Sequence, residues 1–194
     1  MPELSQIKVW DSLVIFFHWS LVSAFFIAYI TEEDFLLVHS WAGYLILALL
    51  SVRFIWGFIG TRYARFKDFV YSPENVIRFL KDTLRFRAKR YIGHNPAGGA
   101  MIILLMISLL ITTISGVLLF GAEEHAGPVA HWFTSTGGFW GDALEELHEF
   151  FANFTLLLVI VHVIGVIVES IMHKENLVSA MITGFKPVKK ISTE

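Results

Sequence analysis

Four stretches of this 194-residue chain, about Ser12–Ile30, Phe35–Phe58, Ala97–Phe120 and Leu144–Ile171, are each apolar over the roughly 20 residues that an α-helix needs to cross a bilayer. A segment inside hydrocarbon must satisfy its own backbone hydrogen bonds, which leaves helices as the way to use such runs. Composition agrees, with 55% apolar residues, 16% charged residues and a mean hydropathy of +0.63, well outside the range of an ordinary soluble domain. The predicted fold class is an all-α membrane protein, a four-transmembrane-helix bundle forming one domain over residues 1–194. No cleavable leader is expected, because Met1-Pro2-Glu3-Leu4-Ser5-Gln6 lacks a basic segment and the first apolar run continues as a full span.

The connecting segments differ sharply in charge. Thr31-Glu32-Glu33-Asp34 after the first span, and the loop Gly121 to Ala143 with Glu123, Glu124 and Asp142 after the third, contain no Lys or Arg. Lys8, Arg53, the cluster from Arg62 to Arg90, and Lys174, Lys186, Lys189 and Lys190 all fall on the opposite side. Basic residues are retained in the cytoplasm, so both termini are expected there, in a multi-pass protein of a bacterial inner membrane. Within the long basic loop, Ser72-Pro73-Glu74 is a helix start, and Val76, Ile77, Leu80 and Leu84 recur at helical spacing among Arg78, Lys81, Arg85 and Lys89. This predicts a short amphipathic helix lying at the cytoplasmic interface against anionic membrane lipid. The same topological bias accounts for the basic charge without nucleic acid. Gly93-His94-Asn95-Pro96 then opens the third span, with Asn95 as N-cap and Pro96 at the first helical position.

There is no cysteine, which excludes disulfides, thiolate zinc, iron–sulfur clusters and covalently attached haem. Histidine remains. His148 and His162 stand fourteen residues apart on the fourth span, which returns the second ring to within about 40° of the first, roughly 21 Å further along the axis. Ala152, Thr155 and Val159 lie between them and Gly165 lies one turn beyond, a stripe narrow enough for a flat, bulky group to rest on the helix. His18 lies near the cytoplasmic end of the first span, and His39 near the periplasmic end of the second with Gly43 one turn on, where Gly43 serves either helix packing or cofactor clearance. An ionisable group inside a membrane is costly unless it has a partner or a task.

Depth pairs these residues as His18 with His162 and His39 with His148. Two imidazoles from facing helices can fill both axial positions of a haem iron, so the four are read as ligands of two b-type haems. A closed zinc site would need four ligands where each pair supplies two. A proton relay would interleave carboxylates through the bilayer; Glu149 points about 100° away from His148, and the spans are read as offering none. His94, His125, His131 and His173 carry no assigned role. The third span, with Thr112, Thr113, Ser115 and Gly116, is expected to be a wall that allows close approach and gives no ligand.

Val9-Trp10-Asp11 with Phe17-His18-Trp19, His39-x-x-x-Gly43-Tyr44, Arg53-x-x-Trp56-Gly57-Phe58, Gly93-His94-Asn95-Pro96, His148, and His162-x-x-Gly165-Val166 with Glu175-Asn176-Leu177 recur together over all four spans. In them the chain resembles the bacterial di-haem b-type cytochromes, the cytochrome b561 and nickel–iron hydrogenase cytochrome b group. The resemblance implies haem b ligation at His18, His39, His148 and His162. It also implies electron transfer between a periplasmic redox partner, a c-type cytochrome or redox enzyme subunit, and the membrane quinone pool. Ile15 stands where such proteins commonly carry Arg three residues before the first-span His, and Arg53 is the cation that could take over a propionate or quinone contact. The alternative is an enzyme acting directly on quinol, quinone or superoxide at a haem edge.

Overall fold

The computed structural model describes residues 4–32, 34–133 and 139–189; Met1, Pro2, Glu3, Glu33 and Lys190, named above, lie outside them. In chain order the elements are strand β1 (Leu4–Lys8), helices α1 (Ser12–Ile30) and α2 (Leu36–Ile59), a short helix α3 (Phe66–Phe69), α4 (Pro73–Leu84), α5 (Pro96–Glu123), α6 (Phe139–His173), α7 (Leu177–Thr183), and strand β2 (Phe185–Lys189). Helices α1, α2, α5 and α6 are the four spans. Their outward faces carry large exposed apolar side chains, among them Phe16, Leu37, Phe54, Leu104, Phe150 and Ile171. A surface so continuously apolar is unstable in water and suits lipid.

The observed spans match the sequence reading within a few residues except at the start of α6. Hydropathy placed that start near Leu144, whereas the helix begins at Phe139, so Asp142, Glu145 and Glu146 are helical residues. Hydropathy finds the lipid-embedded part of a helix, and these carboxylates favour the helix N-terminus electrostatically instead. Glu123 likewise ends α5, not the following loop. A second correction concerns carboxylates in the spans: Glu169 lies within α6, its Oε2 3.3 Å from Nε2 of His173 one turn on.

The chain divides into two compact units. The first comprises residues up to Phe17, Ile55–Met101 and His162 onward. Here β1 and β2 pair antiparallel, from Leu4 opposite Lys189 to Lys8 opposite Phe185. Gly184, at φ +83°, ends α7 and turns the chain into β2 while its carbonyl accepts from the N–H groups of Val9 (2.8 Å) and Trp10 (3.1 Å). A Cβ at this position would stand 2.6 Å from the Trp10 carbonyl oxygen, so glycine is required for space as well as for φ. Val9, Trp10, Val14 and Ala64 form the core. Asp11 caps α1 by accepting from Val14 N (2.9 Å) and also holds Trp56 Nε1 (3.0 Å) and Thr61 Oγ1 (2.5 Å). Arg90 and Lys186 both pair with Glu175, and Arg90 Nη2 also donates to the Pro187 carbonyl (2.6 Å).

Helix α4 forms where the capping signal placed it, with Ser72 Oγ accepting from Asn75 N. Phe79 is its buried anchor, while Ile77, Leu80 and Leu84 are exposed as an apolar stripe, the arrangement of an interfacial helix.

The second unit, His18–Phe54 with Ile102–Val161, contains a segment of each span. Ala24, Phe25, Ile46, Leu50 and Leu109 make its core. Thr155, wholly buried, meets Ser108 hydroxyl to hydroxyl at 2.7 Å and donates to the Phe151 carbonyl. A side chain larger than Ser or Thr at either position would separate α5 from α6.

Candidate cofactor cleft

His39, at the end of the first turn of α2, and His148, in α6, face one another in the second unit with ring centroids 5.8 Å apart and planes at 75°. Each ring is held by the same device. Nδ1 of His39 lies 2.9 Å from the Ala28 carbonyl oxygen, and Nδ1 of His148 lies 2.9 Å from that of Thr112. A carbonyl can only accept, so the hydrogen of each neutral imidazole is assigned to Nδ1 and the lone pair to Nε2. That tautomer is the one a metal-binding imidazole needs, with its second nitrogen anchored to orient the first.

Local sequence explains both acceptors. Ala28 belongs to the last turn of α1, where its carbonyl lies at the open end of the helix and, besides facing His39, accepts from the Thr31 N–H at 3.2 Å. Thr112 O lies inside α5 and also accepts from Ser115 Oγ at 3.0 Å. Gly116 makes the approach of His148 possible, since a Cβ there would stand 2.7 Å from Cε1 of the ring.

The cleft around the two rings draws on all four spans, is partly open to the outside and has a cavity volume of about 70 Å³. Phe25, Ile46, Leu109, Val117 and Ala152 give it apolar walls. Gly43 lines it too, and a Cβ added there would meet nothing within 4 Å. No helix contact among the described residues depends on the missing side chain of Gly43. Among the described residues no group of three or more His, Cys, Asp or Glu could hold a metal ion. The residues present fit a planar, largely apolar group with an axial metal.

The other predicted residues are distributed as follows. His18 lies in α1 within the second unit, half-buried, its ring meeting that of Trp19 edge-on at 5.0 Å. His162 lies in α6 at the start of a segment of the first unit, half-buried, and Gly165 beyond it has open space where a Cβ would be. Arg53 is a deeply buried cation of the second unit, at 3% exposure, fourteen residues along α2 from His39. The remaining histidines stand apart from the cleft. His94 packs between Trp10 and Phe69, with centroids at 4.5 and 4.9 Å, His131 lies against Trp132, and His173 pairs with Glu169. Sequence reasoning missed the two carbonyl anchors, because a backbone acceptor has no residue signature. It saw Gly116 only as one small residue in a cluster.

Four apolar spans define a multi-pass membrane protein, in which imidazoles from two different helices face one apolar cleft. The chain belongs to the prokaryotic cytochrome b561 family, whose model matches residues 9–184. It is 28% identical over 162 residues to a probable Ni/Fe-hydrogenase B-type cytochrome subunit of Rhizobium leguminosarum bv. viciae, covering 76% of this chain and 66% of that protein. Proteins of the same description from Cupriavidus necator (28% identity, 78% and 66% coverage) and Azotobacter vinelandii (26%, 78% and 68%) are similar to it as well. The chain thus spans about two thirds of the length of these relatives. No solved structure matches it.

Proposed function

We propose that this protein carries electrons across the bacterial inner membrane through two b-type haems, one held by His39 and His148 and the other by His18 and His162. The observation that carries the reading is the facing pair His39 and His148, each with Nδ1 anchored on a carbonyl oxygen so that Nε2 is left as a ligand. Membership of the cytochrome b561 family supports the choice of haem b. The spacing of His148 and His162 on one helix supports a second site at another depth, roughly 21 Å away. When bound, haem supplies one-electron chemistry; the chain supplies ligands, a low-dielectric wall and position.

Gly43 and Gly116 provide clearance at the first site, and Gly165 at the second. Arg53, a buried cation, is suited to a propionate carboxylate or a quinone. The charge asymmetry of the loops supports an orientation with both termini cytoplasmic. The acidic segments Thr31–Asp34 and Gly121–Ala143 would then face a periplasmic partner, a c-type cytochrome or redox enzyme subunit, and the membrane quinone pool would be the other reactant. The relatives described as hydrogenase cytochrome subunits support a redox enzyme as that partner.

Pyridine haemochrome analysis of the purified chain tests the reading. Two haems b per chain, with low-spin spectra in the dithionite-reduced minus oxidised difference, are expected. One haem would remove one of the pairs, and none would refute the proposal.

A further inference from the structure

Five hydroxyl-bearing residues line the cleft that holds His39 and His148: Tyr29, Ser40, Tyr44, Thr112 and Thr113. Four have already committed their hydrogen. Tyr29 donates to Asn153 Oδ1 (3.0 Å), Ser40 to the Leu36 carbonyl (2.8 Å), Thr112 to that of Ser108 (2.9 Å) and Thr113 to that of Leu109 (2.8 Å). Tyr44 differs. Its hydroxyl oxygen is buried and has no hydrogen-bond partner among the described residues, an expensive state for a polar group. The phenol reaches toward the loop that follows α5, where Gly127 at φ +81° passes so close that a Cβ would stand 2.8 Å from the hydroxyl oxygen. Among the described residues no Lys or Arg lines this cleft. A carboxylate entering it therefore finds one uncommitted donor, the Tyr44 hydroxyl.

We propose that Tyr44 is a binding residue of this cleft, donating its phenolic hydrogen to a propionate carboxylate of the haem held by His39 and His148. The proposal rests on the haem reading above and adds what that reading lacks: a donor for an anionic side arm at a site without a cation. A hydrogen bond to a carboxylate is charge-assisted, and its positive end partly offsets the negative charge near the iron. That charge favours the oxidised iron, so the Tyr44 hydrogen bond raises the midpoint potential of this haem and leaves the haem of His18 and His162 nearly unaffected. Glu32, also on the cleft, is the competing acceptor within the chain.

The test uses the full chain with its haems, comparing wild type, Tyr44→Phe and Ser40→Ala by haem content, resonance Raman of the propionate bending modes and potentiometric titration. Tyr44→Phe should shift the propionate band and lower the potential of one of the two components, whereas Ser40→Ala, whose hydrogen is already committed, should do neither. Site-specific 3-fluorotyrosine at position 44, a stronger donor of nearly the same shape, should move the same component upward, and it decides the matter if the Phe variant loses haem. An unmoved band and potential in both position-44 variants would overturn the proposal and point to Glu32 as the acceptor. Absence of haem from the wild type would instead refute the haem reading itself.

Discussion

Gly116 of α5 and His148 of α6 are in such close contact that the smallest side chain at position 116 would place its Cβ 2.7 Å from the imidazole Cε1. The ring therefore cannot keep both its position and its 2.9 Å bond to the Thr112 carbonyl if this glycine is replaced. Gly116→Val is expected to lose the haem of the His39–His148 pair while retaining the other. Haem per chain should fall from two to one, with helix content by circular dichroism unchanged.

Selective loss should also follow from the histidines. His39→Ala removes one ligand of the first pair, and His162→Ala one ligand of the second. Each should delete a different spectral and potentiometric component. Deletion of the same component by both would show that the two histidines serve one haem.

Asp11 links acid stability to the start of α1. Burial pushes its carboxyl pKa up, but hydrogen bonds from Thr61, the Val14 N–H and Trp56 outweigh this and leave it below its ordinary value. A carboxylate with a depressed folded pKa contributes stability that is full above its unfolded value of 3.8 and is lost as pH falls through the folded value. The contribution should therefore be present at neutral pH and fade from about pH 4 downward. Asp11→Ala should cost about 1 kcal/mol at neutral pH, the usual value of an N-cap. The gap between variant and wild type should narrow in acid; thermal unfolding in detergent across a pH series measures it.

Glu175 serves two cations, Arg90 and Lys186, and its side chain is 7% exposed. Burial pushes the Lys186 pKa down while Glu175 pushes it back up. Removing the shared anion leaves Lys186 buried beside Arg90 with only the weaker field of Glu169 to offset it, so Glu175→Ala should destabilise by about 3 kcal/mol, typical of breaking a buried pair. Thermal denaturation should place it well below Glu32→Ala, which removes an exposed carboxylate.

The acidic loops predict a salt-dependent encounter. Neutralising Glu32, Glu33, Glu123 and Glu124 together should slow electron exchange with a basic redox partner and flatten its dependence on ionic strength, with both haem spectra intact. Stopped-flow measurements over a salt series would show it. A rate that does not change would place docking elsewhere, near Trp132 and Trp140, which are exposed.

The spans were legible because lipid imposes one unambiguous demand, length with apolarity, and α1 was found to the residue. The histidine spacing was legible because helical geometry turns sequence separation into angle and depth. Other features follow from contacts between distant parts of the chain. No property of Ala28 announces that its carbonyl anchors His39, and Tyr44 reads as one more aromatic of a membrane helix until the partners of its neighbours are known. Strands β1 and β2 escaped detection because each is five residues long and mixed in polarity, with no alternation strong enough to stand out. The early start of α6 was hidden by the carboxylates of its first turns.

The pairing of Leu4–Lys8 with Phe185–Lys189 sets an order of events during synthesis. β1 leaves the ribosome ahead of the four spans, and its partner emerges only after all four have been made. For that interval β1 presents an unsatisfied edge and Arg90 lacks both Glu175 and the Pro187 carbonyl. The first unit is therefore completed last, as a latch that closes only on a chain whose fourth helix has been delivered to the membrane. A chain arrested before α7 would display an open strand, a feature by which quality control could distinguish unfinished copies from finished ones.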